Sequence, residues 1–465
     1  INNTKARPMH WMSVLPPIVA IIVVFWRKEV IGALLLAIVT SELLLTIHTS
    51  TPIISTFTAT IERIVAVFGS ASNTRILLFS LLVGSLLAYI RESGGVAATV
   101  EALLAKGVGK TKRSASLMTV GTGVIIFIES NLSVLTAGIL SRGLFEKLGM
   151  SRARLAYFID STCAPVCILI LLNGWGAYVL GMIEQQGIPG SSVVTLWSTV
   201  PYNFYALVTL SFVFYTAITG KVYGPLKTVE QQPQAHIDIP EHVPSNSKAR
   251  YMLVPLAVLV FGMVAFMIGT GGGDLTQGDG SKSVLYATAL ACVVAYLMLL
   301  LSRRQTHQQL VNIGFKGMSE LLPLVSIVLL SLALGSSLRD LGTGLFLANL
   351  VGDFLPFYLI APMLFLVGAI VSFTTGTSWG TFAILIPIAA PMIIALDLPA
   401  PLILAAILGG GVFGDHCSPI SDTTAVSALA SGCDLLEHVR TQLPYALVAG
   451  GISFALYIIV SLIMI

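Results

Sequence analysis

The chain has 465 residues, of which 55% are hydrophobic and 10% are Asp, Glu, Lys or Arg, against about 25% charged in an average soluble domain. A mean hydropathy of +0.90 and a formal charge of only +3 exclude a soluble globular protein and give no ground for nucleic-acid binding. They predict a polytopic membrane protein. The five cysteines, Cys163, Cys167, Cys292, Cys417 and Cys433, lie in apolar segments without zinc-ligand spacing, which argues against a disulfide framework or a metal knuckle.

The first apolar run, Ser13 to Trp26, is followed by Arg27-Lys28 and a second long apolar run, so it reads as a span and not as a cleavable signal. Spans are predicted at 13–27, 31–48, 75–90, 202–219, 251–269, 284–301, 322–338 and 443–465, since a crossing needs about 20 mostly apolar residues. Stretches 154–182 and 401–430 carry polar or Gly/Pro-rich interruptions, Asp160 through Pro165 and Gly409 through Pro419 to Asp422, and read as discontinuous helices. Stretches 115–141 and 359–397 turn at Glu129-Ser130-Asn131 and at Thr374 through Gly380, and read as re-entrant hairpins. Segments 51–70, 94–107, 303–318 and 342–355 are amphipathic and fit the interface. The long polar connection, Lys221 to Arg250, divides the chain almost in half.

If both hairpins enter and leave on one side, the chain makes ten crossings and 19 of its 25 Lys and Arg share one side. If each hairpin crossed once, the split would be 15 to 10. The positive-inside rule favours the first arrangement, with both termini outside and residues 221–250 cytoplasmic.

Arg91-Glu92-Ser93-Gly94 reappears 248 residues later as Arg339-Asp340-Leu341-Gly342, and at the same offset Glu129-Ser130 falls on Thr377-Ser378. The interruptions at Asp160–Pro165 and Asp415–Pro419 match at about 255. The expected fold is therefore an all-α polytopic membrane protein of two inverted repeats, 1–220 and 251–465. Each has five spans plus a re-entrant hairpin, with discontinuous helices at the midplane, and residues 221–250 link them. An odd number of crossings per half forces the inversion.

Non-helical backbone at membrane depth is tolerated only where protein or water satisfies it, so four breaks in two pairs imply a shared central site. Unwound carbonyls, hydroxyls and carboxylates suit a small cation, and half-helix N-termini suit a substrate carboxylate. The candidate sodium or proton ligands are Glu129, Ser130, Asn131, Asp160 and Thr162 in the first half. In the second they are Thr377, Ser378, Asp415, Ser418 and Asp422. Asn173, Trp175, Trp379 and His416 are candidate contacts to an organic solute, with packing or capping as the plain alternative for each. Glu42 and His48, towards one end of the second span, fit an interfacial position.

Gly414-Asp415-His416-Cys417-Ser418-Pro419-Ile420-Ser421-Asp422-Thr423-Thr424 closely resembles the signature of the NhaC-type sodium/proton antiporter family. Thr375 through Thr381 resembles that family's second hairpin, and Leu155 through Val166 its first broken helix. The resemblance spans roughly residues 75–465 and implies paired re-entrant hairpins and sodium sites at their tips. It also implies a homodimer with an elevator-like substrate domain, in the inner membrane of a prokaryote. The family pattern carries two adjacent aspartates at the first hairpin tip, where this chain has Glu129-Ser130-Asn131. One carboxylate fewer weakens strict sodium/proton exchange and brings in relatives that move organic solutes.

Two readings follow, with Na+ as coupling ion and no other cofactor. The leading one is an Na+/H+ antiporter of NhaC type in which Asp160 or Asp415 holds a proton and sodium in turn. The other is a sodium-coupled symporter or exchanger of a small amino acid or carboxylate such as methionine, malate or lactate. A channel fits poorly, because the breaks are confined to mid-membrane. An intramembrane enzyme using Ser418 and His416 is disfavoured by their order and duplicated setting.

Overall fold

The computed structural model describes residues 11–27, 29–95, 98–99, 111–127, 130–231, 247–274, 277–303, 305–343, 346–347, 349–350 and 355–464. Among them there is no strand. The first half comprises α1 (Leu15–Arg27), α2 (Val30–Thr46), α3 (Pro52–Val67), α4 (Ala71–Glu92), α5 (Lys112–Ile125) and α6 (Ser130–Lys147). It continues with α7 (Arg152–Leu169), α8 (Gly174–Gln186), α9 (Ser192–Ser198), α10 (Phe204–Thr219) and the short α11 (Gly224–Glu230). The second half comprises α12 (Arg250–Thr270), α13 (Gly280–Leu301), α14 (His307–Leu341), α15 (Ile360–Thr375), α16 (Ser378–Ala395), α17 (Ala400–Cys417), α18 (Asp422–Ser431) and α19 (Leu435–Met464).

Nine helical stretches among the described residues are long and apolar enough to cross a bilayer, and α7 with α8, bent by 49°, make a tenth. The expected spans at 13–27 and 31–48 are shorter as helices, 13 and 17 residues, or about 20 and 25 Å. Segment 303–318, expected as a separate interfacial piece, instead forms the start of the 35-residue α14. A capping box at Thr306 and Gln309 starts that helix cleanly, so no break separates it from the span. Most of 94–107 and 342–355, residues 232–246 of the linker, and Glu129 lie outside the described residues.

The turn expected at Thr374 through Gly380 forms, but its arms, Phe357–Thr375 and Ser378–Ala395, are each long and apolar enough to cross a membrane instead of the short halves that the sequence suggests. The tip expected at Glu129-Ser130-Asn131 falls partly outside the described residues. Gly376, at φ +69°, ends α15, and Thr377 caps α16. The first discontinuous helix breaks elsewhere than expected. Asp160 through Pro165 is helical, because Thr162 Oγ1 and Cys163 Sγ donate back to the carbonyls of Phe158 and Asp160, and Pro165 removes only one backbone donor. The break falls at 170–173, after Leu169. The glycines 409–411 are likewise helical, and the second break narrows to Ser418–Ser421.

With the breaks so placed, a single shift of 248 residues superposes the boundaries of several helices. It carries Ser130–Lys147 onto Ser378–Ala395, Arg152–Leu169 onto Ala400–Cys417, and the start of α8 at Gly174 onto the start of α18 at Asp422. The offset of 255 suggested for the broken helices is replaced by this common value.

Small residues set the tightest crossings. A Cβ on Gly84 of α4 would lie 2.3 Å from Gly317 O of α14, and one on Gly410 or Gly414 of α17 would lie 2.3 or 2.1 Å from Phe365 O or Ala369 O of α15. Glu42, expected at the interface, is buried. Its Oε1 accepts from Arg63 Nε and from Ser337 Oγ, each at 2.7 Å, tying α2, α3 and α14 together. A carboxylate so buried within the protein requires such partners, at whatever depth in the membrane it lies.

Gly410→Ala is expected to destabilise the protein by about 1–3 kcal/mol through overpacking, read as a lower thermal midpoint in detergent. Gly451→Ala, with nothing within 4 Å of the new Cβ, should leave the midpoint unchanged.

Candidate functional site

Four helices begin at one place. Ser130 of α6, Gly174 of α8, Thr377 capping α16 and Asp422 of α18 all line a single cavity of about 270 Å³. Asn131, Trp175 and Trp379 line it too, and α4 (Phe79, Ser80, Val83) and α14 (Glu320 to Ile327) supply the remaining walls. Caps hold three of these starts. Asn173 Oδ1 accepts from Gly176 N at 3.0 Å, Ser421 Oγ from Thr424 N at 3.4 Å, and Thr377 Oγ1 from Gly380 N at 3.5 Å. The converging N-termini give the cavity a positive field, which Asp422 partly offsets. That carboxylate accepts from Thr423 N at 2.9 Å and from the Asn131 side chain.

The carbonyls freed at the breaks are bound by neighbouring side chains. Asn173 Nδ2 donates to Phe127 O and Cys167 O at 2.8 Å each, and Ser418 Oγ donates to Phe373 O at 2.7 Å. In each half a polar residue of the broken helix thus fastens the hairpin. Asn173 and Ser418, expected as solute and ion contacts, have their side-chain donors committed to this work. The hydroxyl of Thr162, expected as an ion ligand, back-bonds to Phe158 O at 2.8 Å and lies where a Cβ on Gly123 would be.

The aromatic wall is ordered. Trp175 meets Trp379 edge-on at 5.4 Å between centroids. Tyr178 stacks on Trp379 at 4.7 Å and donates to its carbonyl at 3.1 Å.

Two buried carboxylates stand behind the cavity in different settings. Asp160, with no exposed surface, accepts at Oδ2 from Gln442 Nε2 (2.6 Å), His438 Nε2 (3.2 Å) and Thr424 Oγ1 (3.5 Å), and at Oδ1 from Ser427 Oγ (3.2 Å). It joins α7 to α18 and α19. Gln442 Nε2 also reaches His416 O at 3.1 Å, and His416 Nδ1 pairs with the Tyr205 hydroxyl at 3.1 Å. His416, expected to face the solute, is therefore packed against Tyr205 away from the cavity wall.

Asp415 is 1% exposed. Its Oδ2 accepts from Ser378 Oγ at 3.2 Å. Its Oδ1 carries no hydrogen bond of good geometry, although the Ser421 side chain lies close enough to interact. Asp415 and Ser378 therefore offer an incompletely used oxygen at the N-terminus of α16, a donor set that fits a small cation.

Sequence reasoning missed His438, Gln442, Thr424, Ser427 and Tyr205. The i, i+4 spacing of His438 and Gln442 on one helix face was the available signal, but both sit in a stretch that reads as the start of an ordinary span.

Residues 155–462 match the family model described as the Na+/H+ antiporter family. An uncharacterized protein of Haemophilus influenzae is 31% identical over 96% of this chain and 90% of its own length. The arginine/ornithine antiporter ArcD of Halobacterium salinarum is 31% identical over 50% of this chain and 46% of its own. The crystal structure of the Alcanivorax borkumensis YdaH transporter superimposes with a TM-score of 0.65 at 13% identity, covering 95% of this chain and 97% of that one.

Gln442→Ala removes the shortest bond to a buried carboxylate and is expected to cost about 2–3 kcal/mol. Thr424→Val, whose bond is 3.5 Å long, should cost less than about 1 kcal/mol. Unfolding of both variants in the same micelle measures the difference.

Proposed function

The chain belongs to the Na+/H+ antiporter family, and from that premise we propose that it is a sodium-coupled secondary transporter of a small amino acid or carboxylate. The observation that carries this reading is the cavity. A sodium ion needs only a cage of oxygens, whereas about 270 Å³ bounded by two indoles approaches the size of a small-molecule pocket, about 300 Å³ or more. The four helix N-termini suit a carboxylate on the solute, and Trp175 and Trp379 suit its apolar part. The antiporter named for arginine and ornithine is consistent with such a cargo.

In this reading sodium binds beside the solute, at Asp415 and Ser378, and completes the hairpin tip at Thr377. The two halves related by 248 residues are inverted in the membrane, residues 221–250 are cytoplasmic and both termini are outside, as the cation distribution favours. The working unit is a homodimer in the inner membrane of a prokaryote. The second reading, Na+/H+ exchange without an organic solute, is favoured by one observation, the incompletely used Oδ1 of Asp415.

Proteoliposomes separate the two. A sodium gradient should drive accumulation of a labelled amino acid or carboxylate, and Trp379→Ala should reduce it by at least about tenfold, as expected for loss of a central aromatic contact. Asp415→Asn should remove the sodium dependence. Sodium-driven proton movement with no uptake of any tested solute would leave the second reading in place.

A further inference from the structure

Three of the helices that wall the central cavity, α4, α8 and α14, also wall a second pocket of about 280 Å³. On α4 the cavity takes Phe79 and Val83 and the second pocket Ser72 and Asn73. On α14 the division is Leu324 and Ile327 against Leu332 and Arg339, and on α8 it is Gly174 and Trp175 against Glu184 and Gln185. At 1.5 Å per helical residue the two are offset by on the order of 10 Å. Between them Ile76, 2% exposed, closes on Gly181, where a Cβ would lie 2.3 Å from Ile76 Cδ1.

The second pocket holds polar groups that the protein leaves unanswered. Asn73 is 7% exposed. Its Nδ2 donates to Val67 O at 3.1 Å, which fixes the amide and leaves Oδ1 buried without a partner. Gln185 Nε2 is likewise buried and unpartnered. Glu184 accepts from Ser72 Oγ at 2.6 Å and makes no ion pair among the described residues. Arg339 Nη1 donates to neutral oxygens only, Gln185 O at 2.7 Å and Gln186 Oε1 at 3.2 Å. Arg63, at the same pocket, is by contrast neutralised by Glu42 and Asp340.

Buried polar atoms without partners are costly and call for an occupant. Asn73 Oδ1 and the Glu184 carboxylate are acceptors suited to an ammonium group, and the Arg339 guanidinium and Gln185 Nε2 are donors suited to a carboxylate. An ion of one sign would answer only half of this set. The shift of 248 residues carries Ser72, Asn73, Glu184 and Gln185 onto Glu320, Leu321, Gly432 and Cys433, and only Arg339 keeps its like, Arg91, so the set as a whole is not repeated in the other half. We propose that this pocket binds the zwitterionic head of an α-amino acid, at the opposite end of α4 from Arg91, which pairs with Glu320 of the central cavity's lining. The proposal deepens the transport reading by naming its cargo class, and it stands on residues outside the central cavity.

Ser336 lines the pocket without belonging to the proposed contacts. The full chain carrying Ser336→Cys is reconstituted in liposomes and reacted with a water-soluble maleimide, with the unsubstituted chain as background for its native thiols. The probes are L-alanine, L-leucine and L-arginine, with propionate and ethylamine as the two halves of alanine. At least one amino acid should slow modification about tenfold, as charged hydrogen bonds of this kind allow, while neither half does. Arg339→Gln and Glu184→Gln, each eluting as a monodisperse species, should abolish the protection, and Trp379→Ala should preserve it. The proposal is overturned if no amino acid protects, if propionate alone protects as well, or if protection survives Arg339→Gln and disappears in Trp379→Ala. Protection without transport of any solute would sink the transport reading and leave this site standing.

Discussion

A bilayer offers no water to a broken helix, so every backbone group released at a break must find its partner inside the protein. The rest of the site follows from that constraint. Asn173 and Ser418 bind carbonyls of their respective hairpins, which fixes each hairpin against a broken helix and fills the negative helix ends with donors. The positive ends then have one open direction, and four of them face the same cavity. A cavity bounded by N-termini of longer helices favours a negative group. Asp422, one of the residues at those starts, moderates that field.

Recurrence of the helix boundaries does not bring recurrence of the chemistry. Helix ends in α6 and α7 recur to the residue in α16 and α17 after 248 positions, yet the side chains diverge. Asp160 corresponds to Leu408, Asp415 to Cys167, Trp379 to Asn131 and Asp422 to Gly174. The frame that opens a cavity is thus shared between halves. The aromatic wall draws on both, through Trp175 and Trp379, and each buried carboxylate belongs to one half alone.

Much of this frame is legible in the sequence, because spans, hairpin turns and caps are local. Thr374 through Gly380 announces a turn by composition, and the structure turns there. The break expected at Asp160–Pro165 was misplaced for a local reason as well. A run of Asp, Ser, Thr, Cys and Pro looks unable to stay helical in an apolar setting, but hydroxyl and thiol groups can return their hydrogens to the preceding turn. The partners of Asp160 lie 264 to 282 residues away. No periodicity within α7 points to them, and a polar pair near the start of α19 acquires meaning only once that helix is packed on α7.

The two buried carboxylates divide the work of rigidity and response. Asp160 already accepts from four side chains on two other helices, and an arriving cation would have to displace donors that hold α18 and α19 in place. Asp415 has an oxygen to spare and a single hydroxyl, that of Ser378, on the other. The residue after Ser378 is Trp379, which faces the cavity and is braced by Tyr178. Under the proposed function, an ion drawn to Asp415 would act on the same helical turn that would touch the solute. Coupling between ion and cargo would then need no long pathway, because one turn of α16 would carry both contacts.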